Sequence, residues 1–192
     1  MNIANRLTIS RIILTFVFMF FLFVKGVFAK SIAFLIFSIA AFSDFLDGRI
    51  AKQKNIISDF GKFMDPLADK ILIIAAFAAF VQMNLVEAWM LVIIIAREFV
   101  ITSLRLFALN KGRVLAAGRA GKHKTALQIF VIFWILGFIV LKEVRLRFFT
   151  WDPAWETFFK HGIHILMWIV VGLTLYSGIS YLWENRKVIT KI

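Results

Sequence analysis

The run SIAFLIFSIAAFSDFLDGRI, Ser31 to Ile50, decides how the rest of the chain is read. From Ser31 through Ser43 it carries no charge, and its apolar side chains do not alternate with polar ones as those of a half-buried strand would. A helix satisfies every backbone N–H and C=O internally, which lipid demands. At 1.5 Å per residue, about 20 residues make roughly 30 Å, the thickness of a bilayer's hydrocarbon core. The stretch therefore reads as a membrane-crossing helix. It ends in two carboxylates, Asp44 and Asp47, for which a merely structural span has no use.

Working outward, five more runs of this kind appear, at about Ile12 to Phe28, Lys62 to Val81, Glu87 to Leu106, Gly121 to Leu141 and Ile163 to Trp183. Between them fall the turn formers Gly26, Asn84, Asn110 with Gly112, and Asp152-Pro153. The whole composition agrees: 192 residues are 61% hydrophobic with only two prolines, and the mean hydropathy is +0.87. A water-soluble domain, about half apolar, is excluded. Six crossings consume roughly 120 residues, so the expectation is an all-α integral membrane protein whose residues 1–192 form a single domain. Met1 to Ser10 is too polar to span and reads as a short interfacial helix before the first crossing. Arg6 and Arg11 ahead of an apolar run also resemble a signal peptide, with Val27-Phe28-Ala29 as its cleavage site; an uncleaved first crossing is the reading adopted.

Twenty-three Lys and Arg against eleven Asp and Glu leave a net charge of +12. On a chain this apolar the excess faces lipid headgroups or phosphorylated substrates, not nucleic acid. With the N-terminus in the cytoplasm, only Lys25, Lys30, Lys142, Arg145, Arg147 and Lys160 fall outside, so the positive-inside rule supports six crossings with both ends inside. The absence of cysteine removes disulfides, thiolate metal sites and cysteine nucleophiles together. His161 and His164 fall on the outer side, and His123 faces the loop at the start of the fifth run; none is read as a metal ligand. Trp151, Trp155 and Trp183 read as an interfacial belt.

Acidic residues crowd where the second crossing ends and the third begins: Asp44, Asp47, Asp59, Asp65 and Asp69. On helices, Asp44 and Asp47 lie about 60° apart and Asp65 and Asp69 about 40° apart, so each pair shares a face. Two antiparallel helices can bring four carboxylates to one point, and a hard divalent cation with oxygen ligands, Mg²⁺ or Mn²⁺, relieves their repulsion best. Asp59 reads as a solvated loop residue. Gly48 and Gly61 leave room for a ligand to approach the backbone. A transporter also uses intramembrane carboxylates, but near the midplane and with an internal repeat; here they gather at one interface and no repeat exists. An intramembrane prenyltransferase, the other rival, is a longer chain whose first Asp motif contains an Asn-Asp pair, where this chain has Ser43-Asp44.

Asp44-x-x-Asp47-Gly48-x-x-Ala51-Lys52, eight residues, then Gly61-x-x-x-Asp65-x-x-x-Asp69, resembles the signature of the CDP-alcohol phosphatidyltransferase family. Seven of its eight fixed positions match, and only the family's Arg differs, being Lys52. The resemblance implies six transmembrane helices, a homodimer in the bacterial inner membrane with termini and active site cytoplasmic, and attack of an alcohol on a CDP-linked lipid with release of CMP. It implies that Asp44, Asp47 and Asp65 hold metal and that Asp69 is a further ligand or the catalytic base. It places CDP-diacylglycerol against Asp44, Gly48, Lys52, Gly61, Asn5 and Thr8.

Further segments, Asn5-Arg-Leu-Thr8 through Arg11, Ala96-Arg97-Glu98-Phe99, Leu104-Arg105, and Gly121-Lys122-His-Lys124-Thr125-Ala-Leu-Gln128, resemble the branch whose acceptor is sn-glycerol 3-phosphate. An inositol phosphate or phosphatidylglycerol is the alternative acceptor within the family. A phosphorylated acceptor needs its own anion site, and Arg97, Arg105, Arg119, Lys122 and Lys124 supply cations on one side, where a neutral polyol would leave them unpaired. Arg97 and Arg105 lie about 80° apart on a helix, and Lys122 and Lys124 about 200° apart, so only one of these lysines points inward. Gly121 sits where the fifth helix begins, and a helix N-terminus attracts phosphate.

Overall fold

Nothing between Ile3 and Phe23 breaks a helix, and in the computed structural model the two form the ends of one unbroken helix, α1. This corrects the expectation of a separate interfacial helix over Met1 to Ser10: with no Gly or Pro before Gly26, the polar start and the apolar run share one hydrogen-bond ladder. The structure describes the backbone of residues 3–54, 59–111, 119–150 and 152–189, and the side chains of residues 9–43, 70–109, 111, 121, 123–150 and 152–186. After α1 come α2 (Val27–Lys54), α3 (Asp59–Gln82), α4 (Ala88–Asn110), α5 (Arg119–Phe148) and α6 (Pro153–Ile189). Among the described residues there is no strand. Among the described residues, two stretches are long and apolar enough to cross a membrane, His123–Phe148 and Pro153–Arg186. Ile9–Phe23, Val27–Ser43 and Lys70–Gln82 are shorter apolar helical stretches.

The turn residues act as their chemistry dictates. Gly26 takes φ 106° between α1 and α2, a region that L side chains avoid. Asn84 takes φ 55° after α3; Leu85 N donates to Phe80 O at 2.9 Å and Asn84 N to Val81 O at 3.0 Å. That is the paired closure of a Schellman cap, with Asn in the position glycine usually fills. Asp152 Oδ1 accepts from Ala154 N at 2.8 Å, so Asp152 caps α6 and Pro153 occupies its first turn. The helix thus starts well before the apolar run at Ile163. Helix α5 likewise runs past the apolar stretch that ends at Leu141, carrying Lys142, Arg145 and Arg147.

Helix α1 packs against both α2 and α3, α5 against α2, α3 and α6, and α4 against α3 and α6. The Lys30 ammonium donates to Leu22 O at the end of α1, pinning the α1–α2 hairpin. Ala33, Ala40, Ala76 and Ala79 are buried in this core, small side chains that let apolar helices approach closely. Around them sit the fully buried Phe18, Phe37, Phe77 and Phe80; Phe37 meets Phe18 at 5.5 Å and Phe133 at 5.3 Å between ring centroids. Phe37→Ala should lower stability by about 2 kcal/mol. That is the cavity part of the cost, because lipid offers the exposed ring nearly the same apolar surroundings as the core. Thermal unfolding in mild detergent measures it.

Candidate active site

The acidic motif lies along the last part of α2 and the first part of α3. Asp44, Asp47, Gly48 and Lys52 belong to α2, and Gly61, Asp65 and Asp69 to α3. Both Asp pairs are on continuous helix, so the shared face of each follows from the backbone. Asn5 and Thr8 belong to α1, which packs on both of these helices. The side chains of all nine lie outside the described residues, as do those of Arg119 and Lys122.

The described part of the site begins one residue after Asp69. Lys70, on α3, donates to Thr102 Oγ1 on α4, and its ammonium stands 3.9 Å from Glu98 Oε2. The other oxygen of Glu98 accepts from Lys124, on α5, and from Arg97 Nη1 at 3.3 Å. Three helices therefore meet at one carboxylate. Lys124 is buried, with only 3% of its side chain exposed, which answers for this residue what the spacing alone left open. Arg105 also turns toward this region, its guanidinium 5.8 Å from the centre of the Tyr181 ring on α6.

Two cavities flank the cluster and share Arg97, Glu98, Arg105 and Lys124 as a wall. The larger, about 490 Å³, opens toward Ser177 and Tyr181 of α6. The smaller, about 220 Å³, opens toward Lys70 of α3 and Gln128 of α5. Of the cations expected to hold an acceptor phosphate, Arg97, Arg105 and Lys124 are brought together. They do not stand unpaired as expected, because Glu98 offsets one of their charges. With Lys70 the cluster still carries more positive than negative charge, so an anion is a fitting occupant.

Sequence reasoning passed over Glu98, Lys70 and Gln128 as site residues. A signal for Glu98 existed: it is a carboxylate inside an apolar helix, which is costly unless paired. Gln128 follows Lys124 by four residues and so shares its face; its Nε2 is buried and has no hydrogen-bond partner among the described residues. Of the histidines, His123 is exposed, His161 bonds Thr157 O at 2.9 Å, and His164 accepts from Trp168 Nε1 at 2.9 Å.

The model of a family described as CDP-alcohol phosphatidyltransferase matches residues 1–176. A Bacillus subtilis (strain 168) protein named CDP-diacylglycerol--glycerol-3-phosphate 3-phosphatidyltransferase is 34% identical over 200 residues, spanning 98% of this chain and 97% of that one. A Rickettsia felis protein of the same name is 32% identical, over 97% of this chain and 96% of the relative. A Pseudomonas fluorescens protein, again of that name, is 30% identical over 97% and 93%.

Proposed function

Because the chain belongs to the CDP-alcohol phosphatidyltransferase family and is an enzyme of that class, we propose that it transfers the phosphatidyl group of CDP-diacylglycerol to sn-glycerol 3-phosphate. The products are phosphatidylglycerophosphate and CMP. The observation that carries this reading is the join at Lys70: the residue after Asp69 of the acidic motif is itself part of the cationic cluster. Donor chemistry and an anion-binding cavity thus adjoin along α3.

In the proposed reaction an acceptor hydroxyl oxygen bonds to the phosphatidyl phosphorus, the bond from that phosphorus to the CMP oxygen breaks, and CMP leaves with the electron pair. Positioning and charge neutralisation supply most of the acceleration in such transfers. Asp44, Asp47 and Asp65, with Asp69 as a fourth ligand or as the base taking the hydroxyl proton, are the set suited to Mg²⁺ or Mn²⁺, since all their donors are oxygen. A bound ion of this kind neutralises diphosphate charge and stabilises the leaving group. Arg97, Arg105 and Lys124 hold the acceptor phosphate, and Arg119 and Lys122, at the start of α5, add positive charge nearby. Asn5, Thr8, Gly48, Lys52 and Gly61 line the place of the CDP-lipid. The same reading makes the chain one domain of six membrane-crossing helices, with both ends and the site on the cytoplasmic side, paired as a homodimer in a bacterial inner membrane.

Purified protein given CDP-diacylglycerol and a panel of acceptors tests this: sn-glycerol 3-phosphate, an inositol phosphate, phosphatidylglycerol and glycerol. Saturable CMP release with sn-glycerol 3-phosphate above the rest is the expected result. Equal release with glycerol overturns it. Lys52→Arg should leave the apparent affinity for CDP-diacylglycerol equal or improved, since a guanidinium offers two parallel donors where an ammonium offers a point charge. A titration of the lipid at saturating acceptor measures it.

A further inference from the structure

Arg97 is bonded at one corner and unpartnered at Nε. Its Nη1 donates to Glu98 Oε1 at 3.3 Å, while its Nε is buried and has no hydrogen-bond partner among the described residues. The Nε side looks into the gap between the first turn of α5 and α6: a methyl group built on Gly121 would lie 3.9 Å from Nη2, and one on Gly178 would lie 4.0 Å from Nε and 3.2 Å from Cγ. Nε and Nη2 are the two parallel donors with which a guanidinium grips a phosphate. An arginine with freely turning rotamers presents that edge only part of the time, and ordering it costs conformational entropy on binding.

Resting on the acceptor reading above, we propose that Glu98 is a positioning residue for the acceptor phosphate. It fixes the Arg97 guanidinium by one corner so that the Nε–Nη2 edge faces the larger cavity. It also holds Lys124 beside that edge, using one of the three ammonium donors and leaving two. The glycine at position 178 completes the seat, because any larger side chain there presses on the Arg97 stem.

The sign of one mutation separates positioning from simple charge balance. Glu98→Gln is isosteric and removes a negative charge, so if Glu98 only tempered the cations, phosphate would bind more tightly. Positioning predicts the reverse: the KM for sn-glycerol 3-phosphate rises about tenfold, as expected for losing a charge-assisted hydrogen bond, with kcat and the KM for CDP-diacylglycerol within about twofold of wild type. Inhibition by inorganic phosphate should weaken in parallel, and Glu98→Asp, which keeps the charge, should recover part of the loss.

Gly178→Ala leaves every charge in place and serves as the second variant, raising the same KM by displacing Arg97; it also decides the matter if Glu98→Gln does not fold. An unchanged or lowered KM in Glu98→Gln, or an unchanged KM in Gly178→Ala, overturns the inference while wild-type use of sn-glycerol 3-phosphate stands. A wild-type enzyme that does not use this acceptor overturns the proposed function, and the positioning role with it.

Discussion

Asp65→Asn protein should release no measurable CMP, a loss of at least about 10³-fold, while folding normally. The substitution keeps the size of the side chain and removes one of four negative charges, so apolar packing is untouched and only the binding of a hard cation suffers. Losing a single well-placed electrostatic group in an active site typically costs about 10²- to 10³-fold, and a ligand that also sets the position of its ion costs more. The measurement is CMP release against Mg²⁺ and Mn²⁺ concentration, paired with thermal unfolding in the same detergent. Wild type should gain stability on adding the ion and lose activity in excess chelator. Full activity in chelator would remove the metal from the account.

Arg97→Gln should weaken use of sn-glycerol 3-phosphate by about 10- to 100-fold, the equivalent of roughly 1.5 to 3 kcal/mol for a hydrogen bond to a charged group. Arg105→Gln should act in the same direction with a smaller effect, since Arg105 lies over the Tyr181 ring while Arg97 is the arginine bonded to Glu98. In both variants the apparent affinity for CDP-diacylglycerol should stay near wild type. Titrating each substrate at a fixed lipid-to-detergent ratio separates the two. A change confined to the CDP-lipid would assign these arginines to the donor side and leave the acceptor without its anion site.

How far the sequence could be read follows from what lipid does to the apolar pattern. Phe16 is 69% exposed and Phe18, two residues on, is fully buried; in water only one of them would be hydrophobic, but in a bilayer both are. Hydropathy therefore locates apolar stretches and leaves unsaid which face of each helix meets its neighbours. It also misses helix that continues past the apolar stretch through polar residues such as Arg145 and Arg147. That is why α5 and α6 run beyond the apolar stretches read for them.

Local chemistry was more legible. The turns at Gly26 and Asn84 follow from residue type, and the helices that carry the acidic motif follow from its place between two apolar runs. Glu98 did not, because its partners Lys70 and Lys124 are 28 residues before it and 26 after it in sequence. Only the packing of α3, α4 and α5 shows that its carboxylate stands between them.

That three-way tie bears on how the bundle fits bilayers of different thickness. Apolar helices in lipid meet mismatch by tilting or sliding, each at modest cost. Sliding α4 by a single turn, about 5.4 Å, would part Glu98 from Lys70 and Lys124 together, leaving charges stranded where few waters reach them. The ion cluster thus locks the relative axial register of α3, α4 and α5. On the proposed six-crossing topology, a thinner or thicker membrane would be met by these three helices leaning as one body, keeping the backbone at Asp69 in step with the cationic cavity.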